Sequence, residues 1–298
     1  MILKDSYGRS VTNLRISLTP RCNLKCFYCH AEGEVAPGGS LMSAEDIGGE
    51  IMRVAKHFDM RSIKFTGGGE PLMRTDLVKI VSMVPEGMEA SMTTNGTILA
   101  PLAQDLKDAG LSRVNISMDS LRHDRYKEIA GKDYLSDVLA GVDAAIEAGL
   151  TPVKLNVVLM KGINDDEIPD FIQYARDHDH LILQFIELMD EFRDCPPYHM
   201  ELTGLEEELQ RTAKTVVTRR MHHRKKYLLD GAEIEIVRPL HNTEFCGHCN
   251  RLRVTSDGFL KPCLMRHDNH VSIRGGLRGR ELEDAFREAV MLREPYYC

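Results

Sequence analysis

An apolar strand pattern leads directly into three closely spaced cysteines near the beginning of the chain: residues 14–29 read LRISLTPRCNLKCFYC. Cys22, Cys26 and Cys29 have the spacing C-x3-C-x2-C on a loop after the predicted strand. Three thiolates on one loop suit three irons of a cubic iron–sulfur cluster, whose fourth iron is then open to a ligand. A structural zinc site would need a fourth protein ligand, and His30 is too constrained beside Cys29 to be an obvious one. The spacing therefore favours a 4Fe-4S cluster over zinc.

Short apolar strands alternate with amphipathic helical stretches after this loop. The predicted strands are 14–18, 62–66, 90–93, 114–118, 153–159 and 182–187. The predicted helices are 44–57, 77–84, 102–109, 126–129, 135–148 and 167–177. Repeated βα alternation implies a parallel sheet with right-handed crossovers. Six units are fewer than the eight that close a TIM-type barrel, so we predict an α/β fold with an open partial (β/α)6 barrel, with a doubly wound sheet as the alternative.

The pattern changes after about residue 190. A polar helix is predicted at 201–211, and short strand-like stretches follow at 232–237 and 252–255. We therefore expect a partial barrel over residues 1–190 and a C-terminal extension over residues 191–298. The basic segment 219–226 is interpreted as a solvated face or loop in preference to a phosphate-facing patch.

Composition excludes several classes of protein. The 298 residues contain 45 acidic and 38 basic side chains, with a net charge of -7. This charge argues against binding to DNA or RNA through overall positive charge. The sequence has no run of about 18 apolar residues, and its first ten residues carry charges where a signal peptide is apolar. We expect no membrane partner and a cytoplasmic location, where clustered cysteines bind metals more often than they form disulfides.

A second cysteine triplet, Cys246, Cys249 and Cys263, has the spacing C-x2-C-x13-C. His267 follows at a distance that would complete a Cys3His zinc site. The spacing alone leaves zinc and a second iron–sulfur cluster equally open. Cys195 and Cys298 have no predicted role.

Two motifs resemble the radical S-adenosylmethionine (SAM) superfamily. One is the first triplet with Tyr28 before its last cysteine, and the other is TGGGEP at residues 66–71, after the second strand. The resemblance implies that SAM binds the open iron and is cleaved to a radical that removes a substrate hydrogen. The glycines would let the backbone approach the SAM amino group. The motif has one glycine more than usual, which leaves open whether Gly68 or Gly69 faces SAM.

The second triplet lies in a segment that resembles the GTP 3′,8-cyclases of molybdenum cofactor biosynthesis. Residues 245–253 read FCGHCNRLR, and SDG at 256–258 and CL at 263–264 follow in the family's order. Further matches include TTNG at 93–96, VNISMD at 114–119 and KGIND at 161–165. The resemblance implies that this triplet holds a second 4Fe-4S cluster, whose free iron contacts the guanine of GTP. The family converts GTP to 3′,8-cyclo-7,8-dihydro-GTP.

The resemblance also implies the ligand sites, and it assigns no catalytic side chain. The implied GTP-binding residues are Arg15, Lys64, Thr93, Lys154, Arg251, Leu252 and Arg253. The implied SAM-binding residues are Tyr28, Gly68, Gly69, Ser117 and Met189. A triphosphate needs several cations, and arginine forks bind phosphate oxygens in pairs. Structural roles compete, because strand lysines can be solvated, hydroxyls at strand ends can cap turns, and a methionine can be ordinary core.

The sequence departs from bacterial members of the family at two points, and the resemblance also implies several partners. Gln184 stands where many bacterial members have arginine, and no Gly-Gly tail follows residue 298. Expected partners are a one-electron reductant and a downstream pterin-forming enzyme, and a homodimer is possible. Two other functions stay open, a peptide-modifying radical SAM maturase and a zinc-stabilised binding module without turnover.

Overall fold

The computed structural model describes residues 1–31, 41–189, 196–240 and 242–296. Its strands are β1 (Leu3–Lys4), β2 (Ser10–Val11), β3 (Asn13–Ser17), β4 (Ser62–Thr66), β5 (Glu89–Thr94), β6 (Leu111–Ser117), β7 (Val153–Leu159), β8 (Leu181–Glu187), β9 (Thr215–Thr218), β10 (Lys225–Leu228), β11 (Glu233–Val237), β12 (Arg251–Val254), β13 (Phe259–Lys261) and β14 (Val271–Ser272). Its α-helices are α1 (Met52–His57), α2 (Leu77–Ser82), α3 (Ala103–Asp108), α4 (His123–Ala130), α5 (Leu135–Glu147), α6 (Ile168–Asp177), α7 (Thr203–Thr212), α8 (Thr243–Gly247) and α9 (Gly279–Met291). A π-helical turn, Asp46–Ile51, precedes α1.

The six predicted strands are β3 to β8, and their bounds agree with the prediction to within three residues. They pair in parallel and in chain order, β3-β4-β5-β6-β7-β8. A doubly wound sheet would reverse its strand order at a switch point. The structure therefore confirms the open partial barrel and not the doubly wound alternative.

The C-terminal segment adds strands to both edges of this sheet. Strand β11 pairs in parallel with β8, and β12 pairs in parallel with β3. The antiparallel strands β10 and β9 follow on one side, and β13 and β14 follow on the other. In the described residues the sheet thus has twelve strands, eight of them parallel. The predicted stretches 232–237 and 252–255 are β11 and β12, so the extension continues the barrel wall, while a domain division at residue 190 stays a prediction.

Strand side chains alternate between the helices and the interior of the barrel. On β3, Leu14 and Ile16 are fully buried in the hydrophobic core, whereas Asn13 and Arg15 line an interior cavity. Outside the sheet, α9 packs against β13, β14 and α1, with Phe286 stacked on Phe58 at 6.2 Å between ring centroids. Among the described helices, none is long and apolar enough to cross a membrane.

Candidate functional site

The barrel encloses a cavity of about 400 Å³ whose walls are the inward-facing residues of the parallel strands. Alternate strand positions supply its lining: Asn13 and Arg15, Ser62 and Lys64, Ser91 and Thr93, Arg113, Asn115 and Ser117, Lys154, Asn156 and Val158, Gln184 and Ile186, and Arg251 and Arg253. This lining is largely polar and cationic, in contrast to the layers of apolar side chains that fill many TIM barrels. The interior is therefore suited to a charged ligand.

The first cysteine loop follows β3 at the C-terminal ends of the parallel strands. The backbone N–H of Leu24 donates to Cys22 Sγ at 3.4 Å, and that of Ala31 donates to Cys29 Sγ at 3.4 Å. Burial raises the pKa of the Cys26 thiol, and negative charge on Asp119 and on the other two cysteines raises it further. As thiolates, these three cysteines would repel one another. The loop therefore suits a site at which cationic iron offsets their negative charge.

A turn after β4 carries the glycine-rich motif and is tied to this loop. The buried Glu70 carboxylate accepts hydrogen bonds from Leu72 N at 3.0 Å, Thr94 Oγ1 at 2.6 Å and Asn95 N at 2.7 Å. Gly69 N donates to the carbonyl of Thr19 at 2.9 Å. A Cβ on Gly69 would overlap the backbone carbonyl of Arg21, so no larger residue fits there. Gly69 thus fixes the turn against the segment that leads into Cys22.

Tyr28 is held by a buried carboxylate that sequence reasoning did not assign to the site. The Tyr28 hydroxyl donates to Asp119 Oδ2 at 2.5 Å, and Val158 N donates to Asp119 Oδ1 at 2.8 Å. Burial raises the pKa of Asp119 to about 6, although both hydrogen bonds act in the opposite direction. Asp119 follows β6 by two residues, and a polar residue just after a barrel strand is a signal that could have identified it. Tyr28 lines the cavity together with Ser117 and Met189.

Three of the predicted GTP-binding cations lie side by side across neighbouring strands. In the sheet register Arg253 is opposite Arg15, and Arg15 is opposite Lys64. Lys64 Nζ donates to Asn115 Oδ1 at 2.8 Å. Burial lowers the pKa of Lys64 well below its usual value, and the nearby positive charges, beginning with Arg15, lower it further. This row of like charges favours an anion in the cavity.

Lys154 is part of a second cationic group, which is centred on the fully buried Glu235. Lys154 Nζ lies 2.7 Å from Glu235 Oε1, and Arg219 Nη1 lies 2.6 Å from the same oxygen. Burial lowers the pKa of Lys154 to about 8, with Glu235 raising it and Arg219 lowering it. Gln184 Nε2 donates to Glu235 Oε2 at 2.6 Å. Gln184 thus helps to position the carboxylate that holds Lys154.

The interpretation of the basic segment 219–226 as a solvated face is wrong for part of it. Arg219 and Arg224 line the cavity, while Arg220 and Lys225 are exposed. Strand β10 pairs with β11, which brings this turn beside Glu235. Charge density in the sequence does not reveal which side chains of a hairpin face inward.

The second cysteine triplet lies at the other end of the barrel from the first. Because β3 and β12 run parallel, a loop after β3 and a loop before β12 are at opposite ends. Cys249 precedes β12, and Cys263 follows β13, which runs antiparallel to β12 and returns to the same end. All three cysteines line the cavity. A single cavity therefore extends to the second triplet at one end and to Tyr28 and His30, beside the first triplet, at the other.

Two arginines donate hydrogen bonds to backbone carbonyls of this second triplet. Arg9 Nη1 donates to the carbonyl of Cys246 at 2.9 Å, and Arg293 Nη2 donates to that of Cys249 at 2.6 Å. Asp5, whose side chain is fully buried, pairs with both arginines, at 2.6 Å and 3.0 Å respectively. Burial alone would raise the pKa of the Cys249 thiol, but nearby arginines, beginning with Arg293, lower it. This environment suits a metal-bound thiolate.

The described residues do not form a zinc site at either triplet. Within them, the groups of three His, Cys, Asp or Glu ligand atoms within 4.8 Å of one another contain no cysteine, and His267 belongs to none of these groups. The three thiolates of each triplet suit three irons of a cubic cluster.

Three of the predicted contact residues, Leu252, Gly68 and Gly69, are placed differently from the others. The Leu252 side chain is fully buried in the hydrophobic core, opposite Leu14 of β3, and does not line the cavity. Strand alternation turns it away from the interior when Arg251 and Arg253 face inward. Gly68 and Gly69 lie in the turn after β4 and are outside the cavity lining. Prediction by motif position did not separate the side chains of β12 by face.

Comparisons with known proteins match both halves of the chain. The Radical SAM superfamily matches residues 16–175, and the Molybdenum Cofactor Synthesis C family matches residues 181–298. A probable GTP 3′,8-cyclase of Methanosarcina acetivorans is 50% identical over 303 residues, which cover 99% of this chain and 90% of the relative. Probable GTP 3′,8-cyclases of Archaeoglobus fulgidus and Pyrococcus abyssi are 46% and 47% identical, over 99% of this chain and 99% and 100% of their own lengths. The chain belongs to the GTP 3′,8-cyclase family. These matches confirm the resemblance stated from the motifs.

Solved structures agree with the fold. The chain is similar to SuiB of Streptococcus suis bound to S-adenosylmethionine, with a TM-score of 0.66 at 15% identity over 94% of this chain. It spans 65% of SuiB, less than two thirds of that protein's length. It is also similar to anSMEcpe with bound AdoMet, with a TM-score of 0.64 at 18% identity over 95% of this chain and 81% of that one. At these identities the similarity shows the fold alone.

The cofactors follow from the family. Radical SAM enzymes bind a 4Fe-4S cluster and SAM, and GTP 3′,8-cyclases carry a second cluster in their C-terminal region. The residues present fit both groups, because each triplet offers three free thiols and the cavity reaches from the first loop to the second triplet.

Proposed function

We propose that this chain converts GTP to 3′,8-cyclo-7,8-dihydro-GTP for molybdenum cofactor biosynthesis. The observation that carries the proposal is one cavity with a cysteine triplet near each end and a row of cations between them. The reaction joins C3′ of the ribose to C8 of the guanine. It therefore needs a substrate held at both its base and its phosphates, with the ribose facing the radical source.

The first triplet, Cys22, Cys26 and Cys29, would hold the cluster that binds SAM. When bound and reduced, this cluster and SAM supply the radical that removes the 3′ hydrogen of GTP. Tyr28, Ser117 and Met189 would line the SAM site. Gly68 would face SAM, since Gly69 packs on the backbone of Arg21 and uses its N–H within the protein.

The second triplet, Cys246, Cys249 and Cys263, would hold the cluster that contacts the guanine. Arg15, Lys64 and Lys154 would bind the triphosphate, because their cationic side chains line the cavity between the two cluster sites. The remaining assignments, which would contact the base, ribose or phosphates, are Thr93, Arg251 and Arg253. Backbone atoms of Leu252 would be its only contribution.

The partners of this reaction are also part of the proposal. Reductive cleavage of SAM needs a one-electron donor, and the product needs an enzyme that rearranges it to a pterin. A homodimer and a cytoplasmic location stay predictions from the sequence.

The test is anaerobic turnover. Protein reconstituted with iron and sulfide is incubated with dithionite, SAM and GTP, and products are separated by chromatography with mass detection. The proposal predicts 5′-deoxyadenosine together with a GTP isomer in which C3′ has lost its hydrogen and is bonded to C8, while C8 keeps its hydrogen and N7 has gained one. SAM cleavage that is indifferent to GTP and stimulated by another substrate would refute it.

A further inference from the structure

Arg219 and Arg224 flank the turn between β9 and β10, and both side chains line the cavity. The turn is closed by a backbone hydrogen bond in which Arg219 N donates to the carbonyl of Arg224 at 2.8 Å. Arg219 Nη1 lies 2.6 Å from Glu235 Oε1, and Arg224 Nη2 lies 3.4 Å from Glu235 Oε2. Together with Lys154 they form the Glu235 cluster, three cations around one carboxylate.

The charges of the Glu235 cluster do not balance. Glu235 is fully buried, and the side chains of Lys154 and Arg224 are 10% and 9% exposed. Among the described residues, this one carboxylate compensates one of the three positive charges and leaves a surplus of two, while Arg219 is 27% exposed to solvent. Buried charges without counter-charges are costly, so an anionic ligand would stabilise this arrangement.

Arg224 has a donor with no acceptor in the part of the chain that the structure describes. Its Nε atom is buried and has no hydrogen-bond partner among the described residues. A buried donor left without an acceptor costs about 1–3 kcal/mol. A ligand oxygen in the cavity would satisfy this group, and a guanidinium edge matches the spacing of two phosphate oxygens.

We propose that Arg219 and Arg224, positioned by Glu235, form a subsite for the polyphosphate part of the ligand. The proposal rests on the proposed function in taking that ligand to be GTP, and it adds two phosphate-binding residues to those implied by the family. Glu235 is a positioning residue, because it holds Lys154, Arg219 and Arg224 at the cavity wall.

The test compares nucleotides that differ only in their phosphates. Equilibrium binding of GTP, GDP and GMP to the reconstituted protein is measured for the wild type and for Arg224→Ala. Loss of one charge-assisted phosphate contact is expected to weaken GTP binding by roughly 10- to 100-fold and GMP binding by less than about threefold. Arg219→Ala should behave in the same way. Arg220→Ala and Lys225→Ala are matched controls from the same β9–β10 hairpin, since both side chains are exposed, and should leave all three affinities within about twofold.

Inorganic tripolyphosphate separates this subsite from the cyclase reaction. It should compete with GTP on the wild type and lose at least about tenfold in affinity on Arg224→Ala. Equal weakening of GTP and GMP, or unchanged tripolyphosphate binding, would overturn the subsite. If Arg224→Ala does not fold, Arg224→Gln, which keeps much of the side-chain volume, gives the same comparison. Arg224-dependent tripolyphosphate binding without any cyclised product would support the subsite and refute the proposed function.

Discussion

We predict that GTP binding depends on pH through the buried Lys154. Burial lowers the pKa of Lys154 to about 8, although Glu235 acts to raise it. With that pKa, about 90% of the molecules carry a protonated Lys154 at pH 7 and about 10% do so at pH 9. If phosphate binding needs the protonated amine, the apparent Kd for GTP rises about tenfold between these two values.

The contribution of Lys154 to stability changes in the opposite direction. Its pKa is lower in the folded than in the unfolded protein, so the folded state is penalised below pH 8, where the amine is charged. A shift from 10.5 to about 8 corresponds to about 3 kcal/mol, and this penalty disappears as the pH rises from 8 to 10.5. Deprotonation of Lys154 does not destabilise the fold, so unfolding through Lys154 does not explain weaker GTP binding above pH 8.

The assay is equilibrium binding of GTP from pH 7 to pH 9 on reconstituted protein. Lys154→Arg is the matched control, because arginine stays charged and should remove the transition near pH 8. It also reports any effect of ionisation of the nucleotide itself. Lys154→Met should bind GTP roughly 10- to 100-fold more weakly at pH 7, without the transition. A wild-type profile as flat as that of Lys154→Arg, or a transition that persists in Lys154→Met, would refute the assignment.

Three further variants test the supports of the two cluster sites. Gly69→Ala forces a methyl group into the carbonyl of Arg21 and should abolish SAM cleavage or unfold the cluster loop. The control Gly49→Ala, which has open space around it, should be neutral or stabilising by up to about 1 kcal/mol in chemical denaturation. Equal stabilities of the two variants would contradict the packing at Gly69. Asp5→Ala leaves two arginines without their buried partner and should lower the free energy of unfolding by about 3–5 kcal/mol, with a loss below 1 kcal/mol counting against the role of that carboxylate. Cys26→Ser should contain about four irons in place of about eight and lose SAM cleavage, while Cys249→Ser should also contain about four but still cleave SAM. Iron contents that both stay near eight would reject the two-cluster account.

Local sequence pattern predicts the barrel but not the way its wall is completed. Strands β3 to β8 follow from alternation and from turn residues, because a parallel strand carries its own apolar signal. Helix α9 was not predicted, although it has the helical period, with Leu282, Phe286 and Val290 on its buried side, and this period could have identified it. The addition of β11 and β12 to opposite edges of one sheet depends on pairing between distant segments, which local periodicity does not contain.

The candidate site divides in the same way. Motif spacing identifies both cysteine triplets, and the family resemblance implies several cations that line the cavity, including Arg15 and Lys154. The residues that organise them were missed, since their contacts join distant positions: Lys154 and Glu235 are 81 residues apart, and Arg9 and Cys246 are 237 apart. A buried acid such as Glu235 looks in the sequence like any acidic residue of an exposed strand edge.

Transfer of the 3′ hydrogen of GTP is the step on which the account depends. The most direct measurement uses GTP deuterated at C3′ in anaerobic turnover and follows the mass of the 5′-deoxyadenosine formed. We predict that one deuterium appears in 5′-deoxyadenosine and is absent from the cyclised product at C3′. 5′-Deoxyadenosine that contains only unlabelled hydrogen, with the deuterium still in the recovered nucleotide, would contradict the account.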